Sequence, residues 1–560
     1  MPHLHAPLSA LQRRTTLETI DNSHFDLIII GGGITGAGIA LDAASRGLRP
    51  LLLEMQDFGA GTSSRSTKLI HGGLRYLKQG EVGLVREVGQ ERALLHNNAP
   101  HIVKPKKMLL PIIENGSLGK YSTSMGLFVY DLLAGVEMKE WRSMHTKEQT
   151  LVIEPLLRND IIIGGGLYFE YQTDDARLTI EVMKTAAKFD AVCLNYVEMV
   201  GFHYNEKGIA IGVKAIDKIN HTAHSFYAPA IVNAAGPWVD DVRRRDQVIK
   251  GKRLHLTKGV HIVVPYHRLP LQQAAYFDVK DGRMIFAVPR QDSLYIGTTD
   301  TNYTDRPVRP EATRQDVQYL IDAVNAIFPS AQLTIDDVTS TWAGVRPLIH
   351  EDGKGPAELS RKDEIFISPS GVISIAGGKL TGFRKMAERT VDAVIKKLYQ
   401  KQDRAIKTCI SDKIKLSGGT FAKPEDFDAY LQQLITTHSP TTGIDQINDL
   451  ANKYGRNADI IFRIMAEPNI AHRRKTNDQK LLLAELHYGI RYEMVSTLSD
   501  FLIRRTGRLY FDRPNIDQYR TLLLNELSKV LCLSRQQQQQ QAEEFEKEYN
   551  AVMKFKTDLE

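Results

Sequence analysis

Cysteine is nearly absent: three residues in a chain of 560, Cys193, Cys409 and Cys532. They lie far apart and are odd in number, which excludes a disulfide framework and a CxxC metal site and points to a reducing compartment. No metal is expected. Long apolar runs are missing as well. The richest begins at Leu27, is broken by glycines and meets Asp42, short of the roughly 20 apolar residues of a spanning helix. The opening stretch, MPHLHAPLSALQRRTTLETI, carries Arg13 and Arg14 but no apolar core of a signal peptide. Charge of one sign is also scarce. Lys plus Arg number 72 and Asp plus Glu 66, a net +6. That is too dilute for nucleic acid, though it suits an anionic substrate or membrane surface. The 42% hydrophobic, 25% charged and 8% aromatic content is that of an ordinary globular protein. The length predicts about three to four domains.

The stretch from Met1 to Ile20 reads as a disordered or loosely attached extension. Phe25 to Ile30 is a short Ile-rich run suited to a buried parallel strand. Gly31, Gly32 and Gly33 break it, a helix follows and stops at Gly47, and Pro50 to Glu54 is a second strand. This is a complete βαβ unit. Further along, a helix is predicted from Leu178 to Phe189, a strand from Ala191 to Val197, and a β-meander from about 208 to 232. Arg283–Pro289 and Ser293–Thr298 read as a hairpin, part of a separate antiparallel layer. After about residue 400 helical periodicity dominates, with one strong amphipathic helix predicted over Lys480 to Arg505. Gln536 to Gln541 is a glutamine run in a polar helix, with no function assigned.

Gly31-Gly32-Gly33-Ile34-Thr35-Gly36 fits G-x-G-x-x-G. Its context strengthens it: a strand before, a helix after, and Glu54 at the end of the next strand, close to the spacing expected of a ribose-binding carboxylate. Gly31 makes the turn, Gly33 lets the backbone approach a pyrophosphate, and Gly36 lets helix and sheet pack closely. The helix N-terminus offers N–H groups to the phosphates. Glu54 can accept both ribose hydroxyl protons and would repel a 2′-phosphate. The motif specifies an adenine dinucleotide without choosing FAD or NAD. The segment Thr62 to Tyr76, with its hydroxyls, Lys68, His71, Gly72, Gly73, Arg75 and Tyr76, reads either as a solvated basic loop or as a loop running close to a planar ligand.

SSRSTKLIHGGLRYL together with GGGITGAG resembles the FAD-dependent glycerol-3-phosphate dehydrogenases, a branch of the glycine-oxidase-like flavoproteins. The resemblance runs on through DDARL (174–178), NAAGPW (233–238), KGVHIVVP (258–265), IGTTD (296–300), GVRPL (344–348), GGKLT (377–381) and DFLIRRT (500–506), about residues 25 to 510 in order. Gly382-Phe383, where the family often has Thr-Tyr, departs from it, as do the two termini, and no calcium loop is seen. The resemblance implies an α/β fold: an FAD-binding Rossmann-like domain in three pieces (21–80, 150–245 and 340–400), an antiparallel-sheet substrate domain (81–149 and 246–339) and a C-terminal all-α domain (401–560), all after an N-terminal extension (1–20).

It further implies oxidation of sn-glycerol 3-phosphate to dihydroxyacetone phosphate by hydride transfer to FAD. The expected FAD contacts are Gly31, Gly32, Gly33, Ile34, Thr35, Gly36, Glu54, Ser63, Ser64, Lys68, Leu69, Val197, Ala235, Gly236, Gly378, Lys379, Leu380 and Thr381. The dianionic substrate calls for cationic, bidentate donors, and Arg75, Arg346 and Lys379 are the candidates, with Tyr76 beside them. A neutral histidine suits the base: His261 is expected to face substrate and His71 the flavin. Lys258 is open between a site and a structural role, and Cys193 reads as core. The electrons go to a quinone or to oxygen. Quinone is favoured because family oxidases usually carry an inserted middle segment that is lacking here. Lys104-Pro105-Lys106-Lys107 offers basic charge for a peripheral contact with the inner face of the cell membrane, although a basic loop before a buried strand explains it better. A cytoplasmic enzyme follows, with room for a homodimer. An amine or amino-acid oxidase of the same fold, or a non-catalytic dinucleotide-binding protein, stays as an alternative.

Overall fold

The computed structural model describes residues 8–72, 82–114, 116, 141–246, 252–350, 363–399, 407–472 and 474–557. Leu27–Ile30 is central to a six-stranded sheet. Its neighbours are Pro50–Leu53 and then Val192–Leu194 on one side, Ala230–Asn233, Ile373–Ala376 and Glu364–Ile367 on the other. All pairs run parallel except the last. The three middle strands are buried at every residue. Such strands need apolar side chains on both faces, which is why they read as unbroken runs. The helix Ile34–Ser45 follows the glycine loop and packs against Asp175–Lys188 and Phe383–Tyr399. Small residues make this closeness tolerable: a Cβ on Gly38 would lie 2.9 Å from the Phe383 ring.

A second, larger sheet has Arg253–Pro265 and Ser340–His350 paired antiparallel in continuous register from Arg253 opposite His350 to Val263 opposite Ser340. The expected hairpin is present as Met284–Arg290 against Ser293–Gly297, and Ser293–Gly297 also pairs with Arg253–Pro265. Alternation along these strands divides two cores. Ile262, Val264, Leu294 and Ile296 pack with the helix Arg314–Ile327, while Val263, Tyr295 and Trp342 join the core of the C-terminal helices. The helical domain is thus built onto one face of this sheet. The meander expected over 208 to 232 differs in its bounds: it is a three-stranded sheet that begins earlier, Val197–Tyr204, Ala210–Asp217 and Thr222–Tyr227, while Ala230–Asn233 belongs to the parallel sheet.

Three further expectations are corrected. The N-terminal extension is a docked helix from Arg13 to Ile20, with Leu17 and Ile20 buried. Arg13 is 3% exposed and grips Asp217 at 2.7 and 3.1 Å and the Asn195 carbonyl at 2.7 and 3.0 Å. The sequence showed two arginines and little apolar surface, so the buried partner was out of view. Second, Lys480 to Arg505 is not one helix. It runs as Asn477–Tyr492 and then a π-helical turn, Asp500–Arg505. Between them the Glu493 carboxylate leaves the helix axis for Arg177 and Lys184, and Met494 takes φ +54°. Third, the basic run is not a loop before a strand: the strand itself is Lys104–Ile113, and Lys104 sits 4.3 Å over the Phe427 ring and bonds Asn452. It packs against the helical domain. Among the described residues no helix is long and apolar enough to cross a membrane.

Arg13→Ala leaves a buried carboxylate without its guanidinium. It is expected to lower the unfolding free energy by about 3 kcal/mol, read from the denaturant midpoint; an unchanged midpoint would return the extension to a loose attachment.

Candidate active site

A cavity of about 2560 Å³ lies between the two sheets. One wall is the dinucleotide loop. Gly31, at φ +111°, could carry no side chain, since a Cβ there would meet the Ala234 carbonyl at 2.6 Å. The helix behind it starts at Ile34 with Gly33 as its cap residue, and Gly33, Ile34 and Thr35 line the cavity, so its positive end is turned there. Glu54 accepts from the Gly32 N–H at 2.6 Å and from the Gln56 N–H at 2.8 Å. Burial pushes its pKa up, and those two N–H groups oppose the rise. Ser63 accepts from the Ile34 N–H at 2.9 Å and so joins the next loop to the helix start.

Gly31, Gly33, Ile34, Thr35, Glu54, Ser63, Leu69, His71, Val197, Ala235, Gly236, His261, Arg346, Gly378, Lys379, Leu380 and Thr381 all line this one cavity, although they come from widely separated stretches of chain. Gly32, Gly36, Ser64 and Lys68 stand behind its wall. Gly36 lies against the Gly31 carbonyl, where a Cβ would sit at 1.9 Å. The Lys68 ammonium is bound to Asp175 at 2.5 Å and to the Ser64 carbonyl at 3.2 Å, so it does not face the cavity. Arg75 and Tyr76 lie outside the described residues. Lys258 faces away, bound to Asp316 at 2.6 Å. Cys193 is buried, and burial alone pushes its pKa up to about 12, which leaves an unreactive thiol.

The opposite wall is the strand pair Arg253–Pro265 and Ser340–His350. Arg346 stands across from Thr257, Gly344 across from Gly259, and Trp342 across from His261. The offsets are even, so Arg346 and His261 project from the same face of the sheet. Gly259 between them leaves room for the guanidinium: a Cβ there would be 2.5 Å from its Nη2. Gly297 on the adjoining strand does the same for the imidazole, with a Cβ only 2.1 Å from His261 Cδ2. His261 stacks on Trp342 with centroids 4.7 Å apart and planes 10° from parallel. Its Nε2 is hydrogen-bonded to Thr67 Oγ1 at 3.0 Å. Burial, then the charges of Arg346 and Lys68, push its pKa well below that of a free imidazole, so the ring is neutral at pH 7. Arg346 donates to Thr298 Oγ1 at 3.0 Å, the Thr299 carbonyl at 3.2 Å and Asp300 Oδ1 at 3.0 Å.

Lys379 precedes a short turn, Leu380–Gly382, that leads into the helix Phe383–Tyr399. Gly377 and Gly378 before it have φ of +77° and +80°. Thr381 Oγ1 donates to the His71 carbonyl at 3.2 Å and binds this turn to the loop after Leu69–Ile70. His71 lies edge-on to Phe286, centroids 5.7 Å apart. Thr67, Trp342, Gly259, Gly297 and Asp300 are site neighbours that the sequence reading does not single out. Signals for them existed, since all but Trp342 stand inside or beside the matched motifs.

These features fit FAD: a glycine turn with no room for a Cβ, a helix start whose cap residue is glycine, a half-buried carboxylate at the end of the next strand and a cavity large enough for a dinucleotide. Among the described residues no group of three His, Cys, Asp or Glu side chains is arranged to hold a metal ion.

The model of the family described as FAD dependent oxidoreductase matches residues 26–384, and that of the C-terminal domain of alpha-glycerophosphate oxidase matches residues 409–538. The chain is 48% identical over 545 residues to an aerobic glycerol-3-phosphate dehydrogenase of Staphylococcus aureus, covering 96% of this chain and 97% of that one. The chain belongs to the aerobic glycerol-3-phosphate dehydrogenase family. Among solved structures, a glycerol-3-phosphate dehydrogenase from Bacillus halodurans complexed with FAD superposes with a TM-score of 0.84 at 42% identity, covering 99% of this chain and all of that one. An L-alpha-glycerophosphate oxidase from Mycoplasma pneumoniae shares the fold, with a TM-score of 0.56 at 18% identity, and covers 66% of this chain. Likeness to the family therefore reaches beyond the stretch from 25 to 510 spanned by the motifs.

Gly297→Ala drives a methyl into the His261 ring. The variant is expected to retain FAD but to lose turnover by about 10²-fold or more, measured in steady state on flavin-loaded protein; full activity would detach the ring's position from function.

Proposed function

We propose that the protein oxidises sn-glycerol 3-phosphate to dihydroxyacetone phosphate with FAD and delivers the electrons to a quinone. The observation that carries this reading is the shared sheet face: a neutral imidazole and an oriented guanidinium, close in register, over a cavity whose far wall is the dinucleotide loop. Bound FAD supplies the hydride acceptor. The groups of the chain handle the proton and the phosphate. His261, held in plane by Trp342 and Thr67, takes the C2 hydroxyl proton on its unprotonated ring nitrogen. Arg346 is fixed by Thr298 and Asp300 and presents N–H groups in a fork that suits phosphate oxygens. Lys379 adds a cation on the turn that also brings Gly378, Leu380 and Thr381 to the cavity. In this reading Arg75 and Tyr76 complete the phosphate site, and His71 stands on the flavin side.

A carboxylate substrate, as an amine or amino-acid oxidase takes, carries one charge and is commonly held by one arginine. Arg346 and Lys379, which both line the cavity, favour the dianionic ester. The dehydrogenase name of a relative matching nearly the whole chain supports the quinone over oxygen. A quinone is dissolved in lipid, so the proposal carries a peripheral contact of a cytoplasmic enzyme with the membrane.

Stopped-flow absorption tests substrate and acceptor together. Anaerobic glycerol 3-phosphate is expected to bleach the flavin while glycine and sarcosine do not, and a quinone analogue to reoxidise it faster than oxygen does. Arg346→Ala is expected to raise KM for the ester at least about tenfold with FAD retained. Bleaching by the amino acids instead would falsify the substrate assignment. The pH dependence has a definite sign. Because the neutral imidazole is the active form and its pKa in the fold lies below the ordinary value of about 6.5, flavin reduction should stay level from pH 8 down to that value and fall only below it. A decline centred above pH 7 would remove His261 from the proton transfer.

A further inference from the structure

The DFLIRRT stretch of the helical domain takes no part in the chemistry above, yet its charges are buried directly behind the cofactor loop. Asp57 is 1% exposed and follows shortly after Glu54. It receives Arg504 Nε at 2.5 Å, Arg505 Nη1 at 2.7 Å, Arg505 Nη2 at 2.8 Å and Asn195 Nδ2 at 3.1 Å. Asp500 from the same turn accepts the Tyr196 hydroxyl at 2.6 Å and Arg504 Nη2 at 2.7 Å. Tyr196, whose N–H donates to the Gln56 carbonyl at 2.8 Å, lines the cavity beside Val197 and Glu54. On its other side the 54–59 loop is joined to the glycine turn, through Gly32 N–H to Glu54 and Gly59 N–H to the Gly32 carbonyl at 2.9 Å.

The loop that carries the ribose carboxylate is therefore held between two fixed bodies. One is the glycine turn. The other is the π-helical turn Asp500–Arg505, near the far end of the chain. We propose that Asp57, Arg504 and Arg505, with Tyr196 and Asp500, are positioning residues for the adenosine half of FAD, so that the C-terminal helical domain sets how firmly the cofactor is held. This rests on the FAD reading of the cavity. A carboxylate that takes two guanidiniums in a buried place fixes the backbone around it, because every alternative leaves a charge unpaired. The position of Glu54 is inherited from that fixed backbone.

The test uses flavin-loaded full-length protein and follows FAD release on dilution by flavin fluorescence. Asp57→Asn keeps the shape and removes the charge; Tyr196→Phe removes only the hydroxyl that reaches Asp500, and serves if the first variant does not fold. Arg491→Met, which breaks an ion pair with Glu467 elsewhere in the helical domain, controls for general weakening of that domain. The expected result is FAD dissociation constants raised about tenfold in Asp57→Asn and severalfold in Tyr196→Phe, with Arg491→Met at the wild-type value. Turnover of the two cavity-side variants should recover as FAD is added to saturation. Wild-type retention of FAD in both variants, an equal loss in Arg491→Met, or turnover that excess FAD does not restore would each overturn the proposal. A wild-type protein without affinity for FAD would instead bring down the cofactor reading itself.

Discussion

The register between Arg253–Pro265 and Ser340–His350 is the constraint on which the site depends. Side chains alternate along a strand, so a slip of one position would send His261 or Arg346 into the core under Arg314–Ile327. What prevents the slip is the apolar set on either face: Val260, Ile262 and Val264 on one side, Val263 with Tyr295 and Trp342 on the other. Hydrophobic burial thereby decides that His261 and Arg346 face the cavity. The cost of placing a bare imidazole there is limited by its neutrality and by the stacked indole.

Around that register, space is made by leaving atoms out. Gly259 and Gly297 are empty so that Arg346 and His261 can occupy the positions they do, and Gly31 and Gly36 are empty so that backbone can approach backbone. Charge is handled differently in the two halves. On the strand-pair wall Arg346 is about one quarter exposed and paired with a half-exposed Asp300, so its guanidinium can meet an incoming anion. Behind the cofactor wall, Asp57 and its two arginines are closed off from solvent and satisfied by one another.

The dinucleotide half was legible in the sequence because its physics is local: strand, glycine turn, helix and carboxylate all fall between Leu27 and Glu54, and Ile28 and Leu52 are buried where an unbroken apolar run places them. The hairpin at 284–297 was legible for the same reason. What could not be read were interactions between distant residues with nothing local to mark them. Arg13 stands in what reads as a loose extension and meets Asp217. Glu493 looked like one more helix residue and leaves the helix for Arg177. Lys68 stands in a motif beside the flavin loop, yet its ammonium reaches Asp175. In each case the partner is remote in sequence, and only the fold brings it near.

A crystal structure of the anaerobic protein with FAD and glycerol 3-phosphate would examine the pairing of base and phosphate clamp at its root. The expected result is a C2 hydroxyl within hydrogen-bonding distance of a His261 ring nitrogen while the phosphate oxygens lie on Arg346. A phosphate seated away from Arg346, or a C2 hydroxyl facing another base, would contradict it.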